Sequence, residues 1–117
     1  MSEPTNITYY DISIPDLNEY PYTIDPVVLN NKTYYFEYKW NIREQKAYLA
    51  IYILTNNTKN YLLRSTGLVL FNNLAKYIFD ADNWAGKLYF DSISMSEIYN
   101  YNQENISKEY KLRYIPE

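Results

Sequence analysis

Between Thr33 and Leu54 the chain reads TYYFEYKWNIREQKAYLAIYIL, and its first half alternates with a period of two. Tyr34, Phe36, Tyr38 and Trp40 fall on one side, with Tyr35, Glu37, Lys39 and Asn41 on the other, which is strand periodicity. After the polar segment 41–46, a second run sets Leu49, Ile51 and Ile53 opposite Tyr48, Ala50, Tyr52 and Leu54. Both faces of that run are apolar or aromatic, so it is expected between layers rather than at a wet surface. The two runs are predicted to form a β-hairpin at the centre of a sheet.

The same period extends outward in both directions. Residues 1–5 are expected to be a flexible end, and Tyr10, Ile12 and Ile14 mark a strand over 6–14 that Pro15-Asp16 terminates. A loop follows to Tyr20. The run from Tyr22 to Leu29 contains Pro26, which cannot donate to a ladder, so an edge or bent strand is expected. Asn30-Asn31-Lys32 reads as a tight turn because Asn tolerates positive φ. Beyond the hairpin come a polar loop from Thr55 to Asn60, a strand over 61–64, a bend at Ser65-Thr66-Gly67 and an apolar run over 68–71. Leu74 to Phe79 is predicted as a short strand, with one helical turn as the alternative. A loop over 81–86 leads to a strand from Lys87 to Met95. Asn100, Asn102 and Asn105 oppose helix over 97–108, which is read as mostly exposed loop with one turn. Tyr110, Leu112 and Tyr114 alternate with Lys111 and Arg113 in a final strand that pairs back into the sheet.

The expected architecture is an all-β, single-domain antiparallel β-barrel or sandwich of about 7–8 strands, since strand count alone does not decide closure. Residues 1–20 form an N-terminal arm and first strand and 21–117 the barrel or sandwich proper, as one structural unit. A length of 117 residues suits one core and no second one.

Composition narrows the chemistry. Sixteen Tyr favour strands with surfaces both sticky and wettable. With neither Cys nor His, disulfides, thiolate nucleophiles, Cys/His zinc sites and imidazole acid–base chemistry are all excluded. No cofactor is implied. The missing disulfides fit a cytosolic or virion setting better than a small secreted one. The first twenty residues lack a basic n-region and an apolar core, so no secretory signal is expected, and no stretch reaches the roughly 20 apolar residues of a membrane span.

Net charge is −3, distributed unevenly: Glu3, Asp11, Asp16, Glu19 and Asp25 all precede the first basic residue, Lys32. That leading segment reads as solvated, with docking on a basic surface as the alternative. A uniformly basic face is absent, which argues against nucleic acid as the main partner.

Candidate chemistry is sparse. Asp80, Asp82 and Asp91 are near enough in sequence for a carboxylate pair or hard-cation site, but the Gly and distal Glu of a calcium loop are missing, so loop structure is the better reading. Trp40 ends an apolar face and is expected in the core. Trp84 lies in a polar loop, where it could equally pack inward or anchor an interface or a sugar ring. Asn41 is placed to bond its own backbone at the hairpin, with Arg43 a solvated turn residue by default.

The order of these features from about Tyr22 to Tyr114 resembles the small baseplate plug domain of contractile-tailed phages, the family described from a cyanophage baseplate. The resemblance rests on Asn31-Lys32 before an aromatic strand, Trp40-Asn41-Ile42-Arg43 at the hairpin, and Tyr48-Leu49-Ala50-Ile51 after it. Leu62-Leu63 with Gly67-Leu68, Gly86-Lys87-Leu88 leading to Asp91, and the closing Leu112-Arg113-Tyr114 complete it. One departure is the 55–60 loop, which lacks the glycine often present in the family. Asn57 can take over its positive-φ role.

The resemblance implies a non-enzymatic virion structural protein of the tail baseplate, present in several copies near the tail-tube axis and contacting hub, tube and other baseplate proteins. It also implies assembly in the host cytoplasm and no membrane partner. On that reading Trp84, Tyr99 and Tyr101, which fall in predicted loops, are the interface candidates, while Trp40, Asn41 and Arg43 shape the fold. A carbohydrate-binding β-sandwich with Trp84 as stacking platform is the alternative, and a carboxylate hydrolase using Asp80, Asp82 or Asp91 a third.

Overall fold

The alternation from Tyr34 to Trp40 is realised as a central strand whose four aromatic side chains all lie in the core. The computed structural model describes residues 9–80, 82–93 and 101–116. Its strands are β1 (Tyr10–Ser13), β2 (Tyr22–Leu29), β3 (Lys32–Asn41), β4 (Lys46–Thr55), β5 (Thr58–Gly67), β6 (Lys87–Ser92) and β7 (Tyr110–Ile115). A four-stranded meander runs in the order β2-β3-β4-β5, and a three-stranded sheet in the order β1-β7-β6. Every pairing is antiparallel. No strand of one sheet pairs with a strand of the other among the described residues, so the fold is sandwich-like and the barrel alternative is set aside.

The sheets share one core. Phe36, Tyr38, Leu49, Ile51 and Leu63 come from the meander, and Ile12, Leu88, Phe90, Leu112 and Tyr114 from the smaller sheet. Leu17, in the loop after β1, is fully buried and seals one end. β2 is an edge strand, as Pro26 requires.

Asparagine closes the hairpins. Asn30 and Asn31 both take positive φ, at 53° and 64°, in the two-residue geometry whose twist matches that of the flanking strands. Asn56 and Asn57 repeat the device at 53° and 63°, so the loop read over 55–60 shrinks to two residues between β4 and β5. The bend read at 65–67 is also absent. β5 runs on to Gly67, and its irregularity is instead a register shift opposite the 49–52 stretch of β4.

Three further readings are refined. Leu74–Tyr77 is a 3₁₀ turn and not a strand, because the Asn73 carboxamide accepts the Ala75 N–H at 3.1 Å and caps it. The same oxygen accepts the Leu88 N–H at 3.1 Å, tying that turn to β6. The 97–108 stretch, described from residue 101, has its one turn as α1 (Ile106–Glu109), as expected, but with Ile106 fully buried where the sequence reads as exposed loop. Asn102 and Asn105 cap each other's N–H groups at 2.8 Å, so the asparagines thought to oppose a helix organise its start. Third, Asp11 is not simply solvated. The β1–β7 register sets it opposite Arg113, and it pairs with Lys111 at 3.1 Å and Arg113 at 3.6 Å.

Gly86, immediately before β6, takes φ +109°, a conformation that L side chains rarely adopt. A Cβ there would lie 2.5 Å from the Ile115 carbonyl and 2.9 Å from the Tyr114 ring. Gly86→Ala is therefore expected to destabilise the fold by about 1–3 kcal/mol, measured as a lower urea midpoint at unchanged slope.

Candidate functional site

Trp84 occupies a loop, as expected, but its ring is inside the core at 7% exposure. It meets the edges of Tyr34 and Tyr114 at centroid distances of 5.1 and 5.4 Å, and its indole N–H donates to the Gly86 carbonyl at 3.2 Å. The Tyr34 hydroxyl donates to the Asn83 carbonyl at 2.7 Å, and that of Tyr114 to the Ala85 carbonyl, which holds the loop over the ring. Of the two readings left open for Trp84, the structure shows the inward one: partners 50 and 30 residues away in sequence enclose it.

Tyr101 is half-buried and joins the layers. Its ring meets Trp40 at 6.0 Å, Phe90 at 5.2 Å and Tyr110 at 5.9 Å, spanning both sheets. Its hydroxyl donates to the Leu68 carbonyl at 2.8 Å and accepts the Ala47 N–H at 3.2 Å. Burial first, and the neighbouring tyrosines after it, push the phenol up to about 12. One edge of the ring still borders a shallow cleft with Glu44, Lys46 and Val69. Tyr99 lies outside the described residues.

At the hairpin, Trp40 is buried and the Asn41 carboxamide accepts the Glu44 N–H at 2.9 Å, closing the turn. Arg43 is exposed and makes no hydrogen bond or ion pair with the described residues. Of the carboxylates proposed for hydrolysis, Asp80 accepts the Asn83 side chain at 2.8 Å, and Asp91 accepts the Ser92 N–H at 2.8 Å and pairs with Arg113 at 3.4 Å. Each is engaged in holding its own loop or strand. Among the described residues no group of three or more carboxylates could hold a metal ion.

The outer face of the meander carries an arrangement that sequence reasoning missed. No layer covers this face among the described residues, contrary to the expectation for β4, yet Ala50 and Tyr52 are buried there. The cover comes from side chains of the sheet itself. Tyr35 stacks on Tyr52 at 5.1 Å, Tyr52 meets Tyr61 at 5.3 Å, and Lys59 Nζ sits 4.9 Å over the Tyr52 ring.

Glu37 lies at the middle of this face, 6% exposed. Its two carboxylate oxygens accept the hydroxyls of Tyr22, from β2, and of Tyr61, from β5, the latter at 2.8 Å. The residue facing Glu37 on β4 is Ala50, small enough to leave the phenols room to converge. The signal in the sequence was an acidic residue in the middle of an alternating strand, paired with Ala and flanked by tyrosines.

The electrostatics suit structure rather than proton transfer. Burial raises the Glu37 pKa, but the bonds from Tyr22 and Tyr61 and the charges of Lys59 and Lys39 outweigh it, leaving a net depression. The same hydrogen bond, with burial and the Glu37 charge, pushes Tyr22 up to about 12. Carboxylate and phenols therefore hold opposite protonation states across the neutral range, with no poised general acid or base.

Because the folded Glu37 pKa lies below its ordinary 4.5, its contribution is complete above that value and is lost as pH falls through the folded pKa. Tyr22 acts in the opposite sense: its contribution is complete below 10 and is lost as pH rises toward about 12. Urea midpoints measured against pH should fall on both sides of that plateau, and Glu37→Gln should flatten the acid limb and cost about 1–3 kcal/mol at neutral pH. Tyr101→Phe should cost a similar ~1–3 kcal/mol by leaving the Leu68 carbonyl and Ala47 N–H without their bridge.

No curated protein matches the chain. The family model described as cyanophage baseplate Pam3 plug gp18 matches residues 9–117, a span that begins just ahead of β1 and takes in both sheets, the buried Trp84 loop and the Glu37 face. By that match the chain belongs to the cyanophage baseplate plug family.

Proposed function

We propose that the chain is a non-enzymatic structural component of a phage tail baseplate that packs at or near the tail-tube axis, in several copies, through contacts with hub and tube proteins. The observation that carries this reading is family membership over nearly the whole chain, which gives a baseplate structural role. The surface supports it. Phe79 is 90% exposed, and Tyr20, Tyr22, Phe71 and Tyr77 also stand out from the sandwich, the aromatic side chains that interfaces favour. Phe71 is held at φ +64° by its N–H bond to the Phe90 carbonyl at 2.7 Å, a strained posture for an exposed aromatic residue and a mark of a contact point.

Among the loop residues singled out from sequence, Tyr101 keeps an edge available beside Val69, and Tyr99 stands two positions before it in the chain. Trp84 serves the plug from within, by rigidifying the loop that carries it. Assembly takes place in the host cytoplasm before the chain becomes part of the virion. Among the described residues no helix is long and apolar enough to cross a membrane.

Cryo-electron microscopy of intact tail particles tests the proposal. Density for a 14.1 kDa β-sandwich on or around the tube axis, with exposed aromatics buried against neighbouring subunits, is the expected result. Particles that lack the chain would refute it.

A further inference from the structure

A two-sheet sandwich has four edges, and three of them here are closed to further pairing. β1 is only four residues long and is followed by Pro15. β2 carries Pro26, which removes a donor from its row. β6 is occupied, since Phe71 N–H bonds the Phe90 carbonyl and Asn73 bridges Tyr89. β5 differs. It is ten residues long, contains no proline, and makes no backbone hydrogen bond on its free side to any described residue.

That free edge is also the wall of a groove. Residues 61–66 of β5 line one side, and Tyr77, Phe79 and Asp80 the other, around a volume of about 580 Å³. Six strand residues extend about 20 Å, enough for several ladder bonds. The most exposed large apolar side chain among the described residues, Phe79, stands at this groove and nowhere near the core.

We infer that the β5 edge takes an extended segment of a neighbouring baseplate protein as an added strand, apolar toward Tyr77 and Phe79 and acidic beside Arg64. The inference rests on the baseplate reading above and names its contact surface. Strand addition draws affinity from main-chain bonds and specificity from alternate side-chain pockets, and the groove offers both. The charge of the partner follows from β5 itself, TKNYLLRSTG, which has two cations and no acid. Arg64 is exposed and makes no ion pair among the described residues, whereas Asp80 across the groove is already bound by Asn83.

A second copy of this chain fits less well at the edge. Antiparallel β5–β5 pairing would bring together strands that carry only positive charge, and β2 would bring Pro26. The occupant is therefore a different polypeptide.

Hydrogen exchange on the full chain, alone and in baseplates assembled with it, is the test. In the baseplate, amides within 61–66 should exchange at least tenfold more slowly than in the isolated chain. Arg64→Glu should lower incorporation at least tenfold while leaving the urea midpoint of the isolated chain unchanged. Protection confined to other surfaces, with 61–66 unaltered, would overturn the edge assignment and leave the baseplate role standing. Protection of 61–66 that grows with concentration of the chain alone would assign the edge to a second copy and overturn the hetero-partner. Baseplates assembled without the chain would remove both readings.

Discussion

The two-residue period of β3 is the constraint on which the rest of the structure depends. It sends Tyr34, Phe36, Tyr38 and Trp40 inward and, by the same geometry, Tyr35, Glu37 and Lys39 outward. A one-residue slip would drive Glu37 into the apolar core and four aromatic rings into water, so the register of the whole meander is locked. The smaller sheet, the Trp84 loop and Tyr101 all pack against the face that this strand sets.

Glycine scarcity shapes the turns. With two glycines in the chain, positive φ falls largely to asparagine, at Asn30, Asn31, Asn56 and Asn57, with Gln45 and Phe71 beside them. Asparagine is also the local organiser at Asn41, Asn73, Asn102 and Asn105, where side-chain oxygens bind nearby N–H groups. What reads as polar filler between apolar runs is the bonding that holds the loops in place.

Legibility followed the range of the forces involved. The strands, the Asn30-Asn31 turn, the edge status of β2 and the burial of Trp40 were readable because each depends on alternation or on chemistry within a few residues. The 3₁₀ turn at Leu74 was misread because an apolar period competes there with a side-chain cap, and periodicity carries no information about caps. Trp84 was undecided because its burial depends on Tyr34 and Tyr114, which a reading of its polar neighbours cannot supply. The Glu37 face was overlooked for the same reason: its two phenols come from strands on opposite sides of the acid, and only the assembled sheet brings them to one point.

The pairing of β1 with β7 has a consequence for how the chain is made. The meander is built from successive hairpins, so its contacts are short-range and can form while synthesis continues. The three-stranded layer joins Tyr10 to Tyr114, about a hundred residues apart, and cannot close until β7 has left the ribosome. Until then the aromatic face of β3 lacks the smaller sheet, and a chain arrested before β7 would expose a ready adhesive surface. Completion of the core therefore waits on β7, the strand that joins β1 to β6.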